Sequence, residues 1–191
     1  LTADGMCGPG TYRKKFAEID QTGDFVLDYG IQSGDKYIIH AGEATEIFWD
    51  KVVLWTEAEK FAAKPGSYKD MSSQPQRKPN MFITHWDVCL SSSSCAKVLS
   101  QRNLSVHYLI DNDSSIIQCL DSQHVAYHAG GVNSVSIGVE VSCAYDLKWQ
   151  KWYESKGYGS RPIWKDKVVH GKKLDPFLGF YSEQIKALAA L

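Results

Sequence analysis

Met81-Phe82-Ile83-Thr84-His85 is a short apolar run that ends on a histidine. Such a run reads as a buried strand that delivers one polar side chain at its end. A second stretch, Ser136-Ile137-Gly138-Val139-Glu140-Val141-Ser142, alternates strictly. It predicts a strand with Ile137, Val139 and Val141 on one face and Gly138, Glu140 and Ser142 on the other. Between the two, Ser91 to Ser94 offers helix N-caps, and residues 95–102 read as a helix. Val106 to Ile110 predicts another strand, Asn112-Asp113-Ser114-Ser115 a turn, and Ile116 to Leu120 the returning hairpin partner. Near the end, Ser182 is expected to cap a helix whose apolar stripe is Ile185, Leu188 and Ala189. Strands and helices in alternation predict an α/β or α+β domain, with a mixed central sheet flanked by helices.

Outward from this block the signals thin. In residues 21–80, Tyr37-Ile38-Ile39-His40 and Lys51-Val52-Val53-Leu54-Trp55 read as short strands, and His40 as a structural histidine. Residues 64–80 are rich in Pro, Gly, Ser and charge, which marks a loop or linker and a soft boundary. Residues 21–80 are therefore expected to be an N-terminal extension, and residues 81–191 the main domain. Residues 1–20 begin with the loop Asp4-Gly5-Met6-Cys7-Gly8-Pro9-Gly10-Thr11 and continue as a short helix carrying Tyr12, Phe16 and Ile19.

The chain has 191 residues, 43% hydrophobic and 23% charged, which suits one well-filled core. A net charge of −1 offers no excess of Lys and Arg for a phosphate backbone, so nucleic acid is not expected as a partner. No apolar run approaches a membrane span. Five cysteines (Cys7, Cys89, Cys95, Cys119, Cys143) with no CxxC pair do not make a disulfide framework. Free thiols are expected, with a Cys89–Cys95 bridge across the Ser-rich turn as the main exception.

Four features within about 60 residues carry the chemistry: His85, the segment Ser105-Val106-His107-Tyr108-Leu109-Ile110, the segment Ala126-Tyr127-His128-Ala129-Gly130, and the strand that bears Glu140. An amide hydrolase needs a group to polarise the carbonyl, a carboxylate to take the water's proton, and a donor for the oxyanion. Histidines on two segments and a strand-borne glutamate could converge on such a cleft.

The order I-T-H-W-D, S-V-H-Y-L-I-D-N-D, A-Y-H-A-G and S-I-G-V-E resembles the type 2 N-acetylmuramoyl-L-alanine amidases, whose fold is shared by the peptidoglycan recognition proteins. The resemblance covers residues 80–191. It implies that His85 is the first ligand of a catalytic Zn2+, a role that suits a neutral imidazole on a rigid strand. It implies that Glu140 is the general base for the attacking water. His128 would line the substrate groove, with Tyr127 standing where the family usually has tryptophan. Gly130 and Gly131 would let backbone approach the ligand. Some members carry a tyrosine where this chain has Val106, so no catalytic tyrosine is assigned, and His107 and Tyr108 read as structural. The family's remaining zinc ligands, a histidine and a cysteine or aspartate, are expected beyond Leu191. Within the chain, His170 and Asp175 (in Lys173-Leu174-Asp175-Pro176) are the alternative metal ligands.

The loop of residues 4–11 resembles the end of the small peptidoglycan-binding repeat, and both termini read as cut points of a longer chain. The implied activity is zinc-dependent hydrolysis between N-acetylmuramic acid and L-alanine in peptidoglycan, as in a bacteriophage endolysin acting at the bacterial cell wall. The alternatives are a muropeptide-binding module of the same fold that does not cut, and a structural module that docks on phage particle proteins.

Overall fold

The computed structural model describes residues 36–191; the loop and helix expected over residues 1–20 lie outside them. The elements in chain order are β1 (Tyr37–His40), β2 (Glu43–Glu46), β3 (Val52–Leu54), β4 (Tyr68–Lys69), β5 (Met81–Trp86) and α1 (Ser92–Gln101). They continue as β6 (Tyr108–Ile110), β7 (Ile116–Gln118), β8 (Val125–Ala126), β9 (Ser136–Val141) and α2 (Gln150–Ser155). The C-terminal part adds β10 (Ile163–Trp164), β11 (Val168–Val169), β12 (Lys172–Lys173), β13 (Phe177–Leu178) and α3 (Ser182–Ala190).

A five-stranded sheet in the order β3-β7-β6-β9-β5 forms the centre. Only the β6–β7 hairpin is antiparallel; β3 on β7, β6 on β9, and β9 on β5 are parallel. The mixed α+β architecture expected from the alternation of elements is present. The two faces of the sheet follow the period-2 alternation. Ile137, Val139 and Val141 of β9 join Tyr108, Ile110 and Ile116 in one core, which α3 covers through Ala187 and Leu188. Leu109 and Ile117 point to the other face, where Cys95 and Leu99 of α1 pack on them.

Residues 47–77 are built into this fold, so the expected extension is part of the domain from its β3 edge onward. Trp49, Val52 and Leu54 are core residues, and Arg77 is buried. His40 is structural as expected, with its Nδ1 2.9 Å from Ser122 Oγ. The α1 helix starts at Ser92, a few residues before the expected position. Ser91 is its N-cap, and Ser94 returns the bond to the Ser91 N–H at 3.0 Å, so a serine takes the third position of the capping box.

The stripe expected on α3 holds at Leu188, which packs on the core, but not at Ile185. Ile185 is 47% exposed, whereas Gln184 and Ala187 are fully buried. Tyr181, not Ser182, is the N-cap, and Gln184 Oε1 accepts the Tyr181 N–H at 3.2 Å. Gln184 turns inward because its Nε2 also donates to the carbonyls of Ser142 (2.8 Å) and Asp111 (3.1 Å). A satisfied amide can be buried where the apolar pattern alone would place a hydrophobe.

Arg161 closes this corner. Its guanidinium lies between the Tyr153 and Tyr181 rings, 4.1 and 4.2 Å from their centroids. It donates to Gly179 O, Gln184 Oε1, Ser142 O and Asn112 Oδ1. Among the described residues, no helix is long and apolar enough to cross a membrane. Arg161→Ala would remove one donor from each of these buried acceptors and the cation between the two rings, and urea unfolding is expected to show a loss of about 3 kcal/mol; a change below about 1 kcal/mol would contradict the account of this corner.

Candidate active site

On the α1 side of the sheet, the apolar surface of β7 and β6 gives way to polar groups on β9 and β5. Parallel pairing puts His85 in register with Glu140, and Ile83 with Gly138. Registered residues on neighbouring parallel strands point to the same face, with backbones about 4.8 Å apart. His85 and Glu140 therefore stand side by side, near the C-terminal ends of both strands. Leu109 of β6 is in register with Glu140 from the other side and supplies an apolar wall.

His128 arrives from the segment after β8 and lies over Gly138. A Cβ on Gly138 would fall 2.6 Å from the His128 ring, so the glycine makes the space that the imidazole fills. The backbone of this segment is pinned by Asn133, whose Oδ1 accepts the N–H groups of His128 (3.2 Å) and Ala129 (2.7 Å). The His128 Nδ1 is 2.9 Å from His85 Nε2. Ser136 Oγ donates to Val132 O at 2.8 Å, so it accepts from His128 Nε2–H at 3.1 Å. This places the proton of a neutral His128 on Nε2 and leaves its Nδ1 lone pair facing His85. Nε2 of His85 is then the donor between the two rings.

A second buried histidine props the site from beneath. His107 is fully buried, and its Nδ1 accepts the Gly138 N–H at 3.0 Å while its Nε2 donates to His124 O at 3.0 Å. Arg77 Nη2 lies 3.0 Å from the same Nε2 and donates to Ser122 O, and Nη1 donates to Ser136 O at 2.8 Å. The structural reading of His107 holds: it ties β9 to the β8 segment.

Burial dominates the electrostatics. It lowers the pKa of His85, takes His128 down to about 4 with the help of His85 and Arg77, and takes His107 down to about 3. These imidazoles are neutral at pH 7, the state in which a ring nitrogen can bind a cation or accept a proton. Glu140 moves the other way, to about 7, because burial and then the charge of Asp87 disfavour its ionised form. Its Oε2 is buried without a hydrogen-bond partner. Asp87 rises to about 6 through burial, against the N–H groups of Cys89 and Cys143 and the Ser142 hydroxyl that favour its charge.

The remaining expected site residues lie apart or at the margin. Tyr127 is half-buried, and its N–H donates to Ser105 Oγ at 3.0 Å. Gly130 is exposed with φ 60°, and a Cβ there would meet nothing within 4 Å. His170 has φ 49° in the turn between β11 and β12, and both it and Asp175 are exposed. Among the described residues, neither joins His85 in a group of three close donor atoms; the one such group is Asp87, Cys89 and Cys95. Asp87, Arg77, Asn133 and Ser136 were not singled out from the sequence. Asp87, two residues past His85, left a trace there in the I-T-H-W-D motif, and Ser136 as the first residue of S-I-G-V-E.

A family model described as N-acetylmuramoyl-L-alanine amidase matches residues 75–191. Among solved structures, the chain is similar to AmiD from E. coli, determined with anhydro-N-acetylmuramic acid-L-Ala-D-gamma-Glu-L-Lys. The identity is 22%, over 63% of this chain and 43% of that one, with a TM-score of 0.38. It is similar to a selenomethionine AmpD derivative at 16% identity, over 74% and 72% of the two chains, with a TM-score of 0.39. It is similar to PGRP-Hd from Alvinella pompejana at 22% identity, over 49% and 64%, with a TM-score of 0.32. The chain thus spans under half the length of AmiD. No curated protein matches.

Two outcomes are expected from this geometry. Gly138→Ala forces the His128 ring off the strand, and denaturant unfolding should show a cost of about 1–3 kcal/mol, as for overpacking. Between the ordinary Glu140 value of 4.5 and its value of about 7 here, the folded state holds the extra proton, so this group makes stability fall as pH rises across that interval. Glu140→Gln removes the slope, and its gain over the parent should be on the order of 1–3 kcal/mol at pH 8 and vanish near pH 4. Equal gains at both pH values would show that burial of the charge is not the cause.

Proposed function

Because the chain belongs to the N-acetylmuramoyl-L-alanine amidase family, we propose that it hydrolyses the amide between N-acetylmuramic acid and L-alanine in bacterial peptidoglycan, with zinc as cofactor. The observation that carries this reading is the registered pair of His85 and Glu140, a neutral imidazole beside a buried carboxylate with one unpartnered oxygen. That orphan oxygen suits a group that must engage something from outside the chain.

His85 would hold zinc through Nε2, after giving up its hydrogen bond to His128. Bound there, zinc would supply Lewis acidity at the scissile carbonyl and make water more acidic. Glu140, with a pKa of about 7, is matched to taking a proton from the attacking water near neutral pH. Water oxygen bonds to the carbonyl carbon, the C–N bond breaks, and Glu140 passes the proton to the departing L-alanine nitrogen. The products are the muramic acid carboxylate and a free L-alanine amine. His128, tied to Ser136, would touch the substrate at the reacting end, and Tyr127 and Gly130 would line its approach. The resemblance of residues 4–11 to a peptidoglycan-binding repeat supports action on intact wall, as in a phage lysin.

A non-cutting muropeptide binder is the second reading. It is favoured by the fact that, among the described residues, His85 stands in no group of three donors, the number of protein ligands a catalytic zinc usually takes. The two readings part on one assay: incubation with purified peptidoglycan, with counting of new L-alanine amino termini. The enzyme releases them, loses the activity to a chelator, and regains it with zinc. Glu140→Gln should lower the rate by roughly 10²–10⁴-fold, with a profile in the parent that rises through pH 7. Zinc retained with no new termini would establish the binder, and a wild-type rate from Glu140→Gln would remove the proposed base.

A further inference from the structure

Beside the His85–Glu140 pair, the turn that leaves β5 meets the first turn of α1. Asp87, Cys89 and Cys95 each present one donor atom here, and these atoms lie within 4.8 Å of one another. The Asp87 carboxylate is oriented from behind. Its Oδ1 accepts the N–H groups of Cys89 (2.8 Å) and Cys143 (3.1 Å), and its Oδ2 accepts the Ser142 hydroxyl (2.9 Å). Val88, between them, holds φ 55°, a left-handed conformation that a β-branched residue rarely adopts. The chain accepts that strain and so brings Asp87 and Cys89 round toward Cys95.

We propose that Asp87, Cys89 and Cys95 form a second cation site, distinct from His85, for a thiophilic divalent ion of the zinc class. Two sulfurs and one carboxylate oxygen make three of four tetrahedral positions, and water can complete the fourth. In a tetrahedral zinc site, sulfurs about 2.3 Å from the ion stand roughly 3.8 Å from each other, so modest rotation of the cysteine side chains closes the present spacing. The ion would take the place of the two thiol protons, so the net charge of the cluster does not change: one divalent cation enters and two protons leave. Cys95 is buried, but Cys89 is half-exposed and gives the ion a way in. The hydrogen bonds behind Asp87 do the work of an outer shell, holding the carboxylate beside the two sulfurs.

The inference does not rest on amidase activity, and its test does not use it. The chain, kept reduced, is titrated with cobalt(II), which reports thiolate ligation through a sulfur-to-cobalt charge-transfer absorption. One equivalent is expected to develop the band, and zinc to displace it. His85→Ala should keep the band, Cys89→Ser with Cys95→Ser should abolish it, and Asp87→Asn should weaken cobalt binding by about tenfold or more. Circular dichroism and the unfolding midpoint of each variant confirm that it is folded. Val88→Gly, which relieves the backbone strain and leaves the donors in place, should retain the band. No band in the reduced parent, a band that survives loss of both thiols, or a band that disappears with His85→Ala would each overturn the site. A disulfide between Cys89 and Cys95 that resists reductant would overturn it as well.

Discussion

The parallel pairing of β5 with β9 is the constraint on which the rest depends. Six residues of each strand are in register, from Met81 opposite Ser136 to Trp86 opposite Val141. A slip of one residue would turn His85 or Glu140 to the opposite face, because side chains alternate with a period of two. Such a slip would also push Val139 and Val141 out of the core beneath α3. The apolar face and the polar face therefore hold each other in place: burial of valines on one side sets which carboxylate meets which imidazole on the other.

The polar face is costly, and its neighbours show how the cost is met. Neutral imidazoles are easier to bury than imidazolium ions, and burial keeps His85, His107 and His128 neutral. Each ring of the His107–Gly138 and His128–Ser136 contacts finds a defined donor or acceptor. Glu140 is not met in this way: one of its oxygens is left over, as are Nε of Arg77 and of Arg161, and both burial and Asp87 resist its charge. Unmet polar groups inside a fold are uncommon, and they concentrate where a protein acts on something outside itself.

Much of this was legible in the sequence wherever local pattern and final environment agree. The strands at 81–86 and 136–141, the β6–β7 hairpin, and the Ser91 cap follow from alternation, turn residues and capping chemistry, all of which act over a few positions. The reading failed where long-range partners decide. Ile185 looked like a core residue of α3, but the helix turns Gln184 inward because the Ser142 and Asp111 carbonyls and Arg161 wait there. The Pro- and Ser-rich stretch 64–80 looked like a boundary, yet Arg77 at its end donates to the carbonyls of Ser122 and Ser136. His170 and Asp175 were candidate donors by residue type and by the K-x-D-P likeness; both are exposed, and residue type alone carries no information on where a side chain ends up.

By itself the sequence determined the strands that carry His85 and Glu140, the hairpin between them, the helices after Ser91 and near the end, and the apolar face of the Glu140 strand. Those properties are set by steric and solvation preferences of residues close in the chain. Only the tertiary structure decided that His85 meets Glu140 in register, that His128 stacks over Gly138, and that Asp87, Cys89 and Cys95 converge. Such contacts depend on strand order, on register and on the removal of water by the whole core, and none of these is a property of any short stretch of residues.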